Sequence, residues 1–169
     1  PYAGLGVAAW RSRDDHFDLG CAGAGYGAMA GPVKGGLGSA SVVLKDGVTV
    51  GALGAVSARG APAPDGVAHF WAAPWELGDE FGGLGPAAAG AGTNVLLEDG
   101  FTPSQNTTIG IIATDARLDK AQCQRLAVAA HDGFARALVP SHTPFDGDLI
   151  FAASTGAREL DTPMTDAAG

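Results

Sequence analysis

The sequence predicts an α+β fold, and three observations carry that prediction. Two runs rich in valine and leucine flank Asp46-Gly47, a dipeptide typical of tight hairpin turns. A β-branched apolar run at 107–115 is followed by apolar residues spaced three and four apart, which indicates a strand and then an amphipathic helix. A short apolar run at 149–154 predicts one more strand. With 169 residues and a hydrophobic share of 46%, the chain has the size and composition of one packed domain.

The first half of the chain is poor in regular patterns. Residues 20–38 hold eight glycines, and we expect a loop there in which backbone segments approach closely. A β-hairpin is predicted at about 39–57, where the Asp-Gly pair favours a type I′ turn. From residue 59 to 106, Trp71 and Trp75 lie among turn residues without helical or strand period. Long irregular segments of this kind are usually functional or flexible.

The second half is more regular. The run TTIGIIATD at 107–115 predicts a strand, and Asp119 stands where a helix N-cap belongs. The predicted helix ends before Pro140, and its apolar face comprises Cys123, Leu126, Ala127, Ala130, Phe134, Ala137 and Leu138. The loop PSHTPFDGD then leads into the strand LIFAAS at 149–154, and residues 155–169 show no clear period.

Charge and cysteine content disfavour several kinds of partner. Ten Lys and Arg against 18 Asp and Glu give a net charge of −8, which disfavours nucleic-acid binding because phosphate contacts need a cationic surface. No apolar run approaches the roughly 20 residues that span a bilayer, so no membrane partner is expected. Cys21 and Cys123 lie far apart without CxxC spacing or a histidine cluster. They predict neither a disulfide framework nor a metal site, and fit thiols in a reducing cytoplasm.

Two motifs fail as cofactor sites. Residues 23–28 match the dinucleotide pattern GxGxxA, but a strand before it and a helix after it are not predicted. Around Lys34 the sequence GPVKGG lacks the GK[ST] of a phosphate-binding loop. Taken alone, Lys34 indicates a solvated cation in a glycine-rich loop. Neither motif therefore predicts a dinucleotide or phosphate site.

The junction Asn106-Thr107 carries a sharper hypothesis. If the bond between these residues were cut, Thr107 would become a new N-terminus at the start of a strand. A free N-terminal Thr is a self-contained catalyst, because its α-amine, with an unperturbed pKa of about 8, can take the hydroxyl proton as the oxygen attacks a carbonyl. Taken alone, the pattern more often marks a simple β-former, and residues 106–108 also form a glycosylation sequon. The Asp-Gly-Asp at 146–148, taken alone, indicates a turn.

In this order, these segments resemble one family of N-terminal-nucleophile amidohydrolases: the DmpA-type aminopeptidases, the β-aminopeptidases and the 6-aminohexanoate-oligomer (nylon-oligomer) hydrolases. The resemblance runs from about residue 23 to residue 154. Its most specific parts are NTTIGIIATDA at 106–116, the following KAQCQRLAVAAHDG, and HTPFDGD at 142–148. The stretches GPVKGGLGSAS at 31–41 and VGALGAV at 50–56 support it. It implies an αββα sandwich, two β-sheets between helical layers, with no metal or organic cofactor.

The resemblance assigns a role to each candidate side chain. Thr107 matches the nucleophile, and Lys34 matches a lysine that stands near it. Asp146 and Asp148 match acidic residues of the nylon-oligomer branch that contact the nucleophilic Thr. Ser57 stands where family members commonly have an Asn that helps stabilise the oxyanion, so Ser57 is the candidate oxyanion donor.

The resemblance also implies how the chain matures and what it acts on. Self-cleavage between Asn106 and Thr107 would make 1–106 the end of a larger chain and 107–169 the start of a smaller one, both parts of one catalytic domain. The substrates would be short peptides or linear amide oligomers, and the assembly a homo-oligomer, a tetramer by the resemblance. Two alternatives stay open: a catalytically silent structural homologue, and an ornithine-acetyltransferase-like acyltransferase, although its Gly-Thr-Met-Leu type of cleavage signature is not seen.

The resemblance also implies that this chain covers only part of the family's domain. Family members carry a segment before the glycine-rich loop and a further helix after LIFAAS, so we expect an internal piece of the domain, incomplete at both ends. Such a piece would leave apolar faces uncovered. The side chains expected to be unusually exposed are Val42, Leu44, Ile111, Phe134 and Phe151.

Overall fold

The structure, a computed structural model, describes residues 2–91 and 106–160. Along the chain the regular elements are α1 (Tyr2–Arg11), β1 (Met29–Ala30), β2 (Val33–Lys34), β3 (Gly36–Val43), β4 (Thr49–Ser57), β5 (Thr107–Ala116), α2 (Lys120–Ala137) and β6 (Leu149–Arg158), with short 3₁₀ helices at Gly23–Gly25 and Ala73–Trp75. Strands β3-β4-β5-β6 form one sheet in that order, and β1-β2 form a small ribbon. In the four-stranded sheet β5 and β6 are parallel and the other neighbours antiparallel.

Strands β3 and β4 form the predicted hairpin, but the predicted type I′ turn is wrong. Gly47 has a φ of 83°, whereas His142 is the only described non-glycine residue with a positive φ, so Asp46 does not share the left-handed conformation. The Gly47 N–H donates to the carbonyl of Leu44 at 2.9 Å, and the Leu44 N–H donates to the carbonyl of Val48 at 2.8 Å. The Asp46 carboxylate accepts the Val48 N–H at 3.1 Å, so a side chain, and not a second left-handed residue, organises the turn.

The glycine-rich segment is only partly the loop expected, because it contains a 3₁₀ helix, the β1-β2 ribbon and the start of β3. The predicted close backbone approach is confirmed. A Cβ on Gly25 would lie 2.2 Å from the carbonyl oxygen of Gly20, and one on Gly35 would lie 2.1 Å from that of Val56. Glycine at position 35 therefore lets the end of β2 lie directly against the end of β4.

Helix α2 begins at the predicted cap. The Asp119 carboxylate accepts the N–H of Gln122 at 2.8 Å, and the Gln122 side-chain oxygen accepts the N–H of Asp119 at 2.8 Å, which is a complete capping box. The helix packs on β5 and β6, where the Phe134 ring and Ile150 both lie over Gly110. This helix covers one face of the sheet.

Two elements differ from the sequence prediction. Helix α1 has no counterpart in the sequence prediction; Gly4 and Gly6 lower its intrinsic helix propensity, and none of its residues is buried. Strand β6 continues past the predicted end at residue 154 as far as Arg158. The carbonyl of Arg158 accepts the N–H of Arg117 at 2.6 Å, a contact between distant residues that local sequence does not indicate.

The face of the sheet opposite α2 is apolar and open. Parallel pairing places Ile109 beside Leu149 and Ile111 beside Phe151, and paired residues of neighbouring strands point to the same side. These four side chains, called the open face below, are between 39% and 57% exposed. Exposed apolar side chains that lie next to one another mark a contact surface or an aggregation hazard.

The expected exposure is confirmed at four of the five residues named from the sequence: Val42, Leu44, Ile111 and Phe151. It is wrong at Phe134, which is half-buried. The reason is that Phe134 lies on the inner side of α2, where its ring packs against Gly110.

We expect these 169 residues, expressed alone, to self-associate and to bind a hydrophobic dye, because the open face is available to other molecules. Sedimentation velocity and dye fluorescence measure both properties. Replacing Ile111 and Phe151 with Lys should reduce both, whereas Val128→Lys, at an exposed position on α2, should not. A monomer that melts cooperatively and leaves the dye dark would contradict this expectation.

Candidate active site

The site forms where β5 begins. Thr107 is the first residue of β5 and pairs with Ser57, the last residue of β4. Residues directly opposite on antiparallel strands share a face of the sheet, so the two hydroxyl side chains lie on the same side. Both residues are half-buried. The strand pairing therefore brings the predicted nucleophile and the predicted oxyanion donor to one place.

The loop between α2 and β6 runs beside this junction. Asn106 and Asp146 form an isolated parallel bridge, and the N–H of Gly147 donates to the carbonyl oxygen of Asn106 at 2.9 Å. The hydroxyl of Thr107 donates to the same oxygen at 2.7 Å. The carbonyl of the peptide bond between residues 106 and 107 thus accepts two hydrogen bonds.

Gly147 lies so close to Thr107 that only a glycine fits without movement. A Cβ at position 147 would lie 2.8 Å from the Thr107 hydroxyl oxygen and 3.6 Å from its methyl carbon. The first distance is shorter than real Cβ contacts. The absence of a side chain therefore allows the Gly147 backbone to lie against the hydroxyl group.

Asp148 links the loop to β5. One of its carboxylate oxygens accepts the N–H of Thr108 at 3.0 Å, and the other lies 2.8 Å from Nδ1 of His142. The Asp148 side chain is 5% exposed. Because a carboxylate can only accept, Nδ1 of His142 carries the proton in this contact. The other ring nitrogen lies 3.3 Å from the carbonyl oxygen of His131, on α2.

Asp146 ties the same loop to the end of β4. One carboxylate oxygen accepts the N–H of Arg59 at 3.0 Å. The other accepts the N–H of Thr143 at 3.0 Å and also the Thr143 hydroxyl. The guanidinium of Arg59 lies over the ring of Phe145, 5.7 Å from its centre. Asp146 thus holds its own turn and fastens that turn to the neighbouring strand.

The structure gathers most, but not all, of the predicted site residues. Thr107, Asp146 and Asp148 lie around one junction, yet the carboxylates bond to neighbouring groups and not to the Thr107 side chain. Lys34 is exposed, and its ammonium donates to the carbonyl of Tyr26 at 3.2 Å. Within the described residues, no hydrogen bond or ion pair joins Lys34 to Thr107 or to either aspartate.

Sequence reasoning gave no role to His142, Thr143 or Gly147. The Thr143-to-Asp146 spacing is a signal that could have been used, since Thr and Asp three residues apart often close a turn through their side chains. His142 gave no such signal. Its contact with Asp148 accompanies a left-handed backbone, with φ at 53°, which is uncommon for residues other than glycine.

The described residues contain neither a metal-binding cluster nor a membrane-spanning helix. Across residues 2–91 and 106–160, no group of three or more His, Cys, Asp or Glu side chains is arranged to hold a metal ion. No helix in that part of the chain has the length and apolar character needed to cross a bilayer.

Comparison with known proteins decides the family. Residues 4–168 match the model of peptidase family S58. The chain belongs to peptidase family S58. It is similar to an uncharacterised aminopeptidase of Mycobacterium tuberculosis, with 43% identity over 160 residues, 93% of this chain and 46% of that protein. The 6-aminohexanoate-oligomer endohydrolase of a Kocuria species is 38% identical over 64 residues, 38% of this chain and 18% of that protein. The chain thus spans less than half the length of these relatives.

Solved structures that are similar to this S58 chain confirm the predicted α+β fold class. A Pyrococcus horikoshii protein matches with a TM-score of 0.61 at 31% identity, over 89% of this chain and 36% of that one. A Burkholderia β-aminopeptidase matches with a TM-score of 0.57 at 27% identity, over 93% of this chain and 40% of that one. The L-aminopeptidase D-Ala-esterase/amidase of Ochrobactrum anthropi matches with a TM-score of 0.50 at 27% identity, over 90% of this chain and 36% of that one. That enzyme has a variant of the Ntn (N-terminal-nucleophile) hydrolase fold. In the described residues, the four-stranded sheet carries α2 on one face, and the β1-β2 ribbon is the only other sheet.

We expect His142→Gly to speed hydrogen exchange at the Thr108 amide, because Asp148 then loses the ring that holds its second oxygen. His142→Asn is the matched control, since Asn tolerates a positive φ and carries a side-chain nitrogen at the position of Nδ1. Exchange of the peptide covering residues 107–110, followed by mass spectrometry, measures the effect. Equal protection in the wild type and in His142→Gly would contradict the role of His142 in holding Asp148.

Proposed function

We propose that this chain is part of a self-processing amidohydrolase whose nucleophile is Thr107, freed by cleavage of the bond to Asn106. The observation that carries the proposal is the Thr107 hydroxyl, which lies 2.7 Å from the carbonyl oxygen of that bond. Membership of peptidase family S58 supports amide-bond chemistry. The cut divides the catalytic domain into 1–106 and 107–169.

The cleavage step begins with the Thr107 oxygen attacking the carbonyl carbon of Asn106. The hydroxyl proton passes to the departing nitrogen, the C–N bond breaks, and the Asn106 acyl group becomes an ester on the Thr107 oxygen. Water then hydrolyses the ester. The products are a carboxylate on Asn106 and a free hydroxyl and α-amine on Thr107.

Turnover uses the groups that the cut releases. The α-amine of Thr107 takes the hydroxyl proton as the oxygen attacks the substrate carbonyl, and it returns that proton to the leaving amine. The acyl group is held as an ester until water releases it. No metal or organic cofactor takes part in this scheme.

The remaining side chains support these steps. Asp148, already bonded to the Thr108 amide, and Asp146, beside Asn106, orient the Thr107 amine and hydroxyl. Ser57 donates to the oxyanion, which is supported by its register opposite Thr107. Lys34 acts through its positive charge, favouring the neutral amine and the developing alkoxide. That role rests on the family resemblance alone.

The substrate class is short peptides or linear amide oligomers. The names of the relatives support both, since one is an aminopeptidase and another a 6-aminohexanoate-oligomer endohydrolase. A homo-oligomer, a tetramer by the family resemblance, and a location in the cytoplasm complete the proposal. The two free thiols, Cys21 and Cys123, are compatible with that compartment.

We expect Thr107→Ala in the full-length protein to stay uncut, because the attacking oxygen is missing. Thr107→Ser is the matched control, since it keeps a hydroxyl and should still divide. Intact-mass spectrometry and N-terminal sequencing of the purified proteins read the outcome. Two pieces from Thr107→Ala, with the same new N-terminus, would assign the cut to another protease.

In processed protein we expect Lys34→Ala, Asp146→Asn and Asp148→Asn each to lower kcat by about 100- to 10,000-fold, the range for positioned acid–base groups. Amino-acid p-nitroanilides and linear amide oligomers are the test substrates. Controls of matched charge at exposed positions are Lys45→Ala and Asp65→Asn.

Turnover close to wild type in all three variants would mean that the Asp-Gly-Asp segment is only a turn and that Lys34 is only a solvated cation. Processed wild-type protein that is inactive on every amide would favour the silent homologue. Acetyl transfer from acetylornithine would favour the acyltransferase.

A further inference from the structure

We propose that the backbone N–H of Gly147 is the oxyanion donor for self-cleavage between Asn106 and Thr107. The inference rests on the proposed self-processing and adds the group that stabilises its transition state. The observation is the hydrogen bond from the Gly147 N–H to the Asn106 carbonyl oxygen, 2.9 Å long, at the bond to be cut.

The Gly147 N–H matters because the hydrogen bond from the Thr107 hydroxyl to the same carbonyl oxygen is lost during the reaction. In the uncut chain, the Thr107 hydroxyl also donates to the Asn106 carbonyl oxygen. When the hydroxyl oxygen attacks the carbon, its proton is transferred and that hydrogen bond ends. The Gly147 N–H is not consumed, and it faces the oxygen on which negative charge develops. Fixed donors of this kind stabilise a transition state without having to reorganise.

The donor is held in place on both sides. Before it, Asp146 bridges to Asn106 through the backbone and bonds to the N–H of Arg59 through its carboxylate. After it, the Asp148 carboxylate bonds to the N–H of Thr108. The two aspartates therefore fix the peptide unit of Gly147 against the junction, which gives them a positioning role in the uncut chain.

The residue type at position 147 fits this role. A side chain there would meet the Thr107 hydroxyl oxygen at 2.8 Å and displace either the nucleophile or the loop. Glycine combines a backbone N–H donor with a close approach to the attacking oxygen. An alanine at 147 would keep the donor but disturb the nucleophile.

The decisive experiment replaces Gly147 by glycolic acid in the full-length polypeptide, made by translation with the α-hydroxy acid. This change exchanges the N–H for an ester oxygen and adds no side chain. We expect cleavage at 106/107 to slow by about 100- to 1000-fold, the usual cost of losing one oxyanion donor. Intact mass against time measures the rate and separates this cut from hydrolysis of the introduced ester. The same replacement at Gly78, an exposed loop residue with open space around it, is the control.

A second measurement does not depend on the ester. In uncut Thr107→Ala protein, the Gly147 amide should be protected from hydrogen exchange, and an unprotected amide would overturn the inference. Gly147→Ala should also slow cleavage, whereas Gly133→Ala, with open space around its Cβ, should not.

The failures are distinguishable. If the ester variant is cleaved at the wild-type rate and Thr107→Ala stays uncut, the role of Gly147 is overturned but the proposal of self-processing stands. Cleavage of Thr107→Ala itself overturns the proposed function.

Discussion

The hydrogen-bonded contact between the 146–148 segment and the start of β5 is the constraint on which the site depends. It follows from parallel strand pairing. Strand β6 starts opposite Ile109, so the residues immediately before it necessarily run beside the residues immediately before Ile109. Helix α2 connects the two strands and packs on both, and its capping box fixes where that connection begins. The candidate site is thus a consequence of how one strand-helix-strand unit closes.

The elements with strong local patterns could be predicted from the sequence. Strand β5 is a β-branched apolar run, helix α2 has a clear period of 3.6, and the hairpin has its Asp-Gly signal. Two of the failures, the turn type and the end of β6, share a physical cause, which is that side-chain or tertiary contacts decided the outcome. The Asp46 carboxylate set the turn type, and the contact between Arg117 and Arg158 accompanies the extension of β6 beyond its apolar run. Helix α1 formed despite two glycines that argue against it.

For the site, the sequence supplied the candidates but not their partners. Thr107 could be placed at a strand start because strand patterns are local. The contacts of Asp148 could not, because they involve a backbone amide on another strand and a histidine in a left-handed conformation. Gly147 is the clearest case: its proposed role depends on a backbone N–H, which every residue except proline has, and on a close approach to Thr107 that only the fold decides.

The turn and the catalytic interpretations of Asp-Gly-Asp are therefore not alternatives. In the uncut chain, the carboxylates of Asp146 and Asp148 satisfy backbone amides, as turn-forming aspartates do. Because one of those amides belongs to Thr108, Asp148 already lies one residue from the amine that cleavage would release at Thr107. Under the proposed mechanism, the same carboxylate first holds the donor that activates the scissile carbonyl and then lies beside the new α-amine. One hydrogen-bonded turn would serve both steps, and this explains how an acidic pair can be structural before the cut and functional after it.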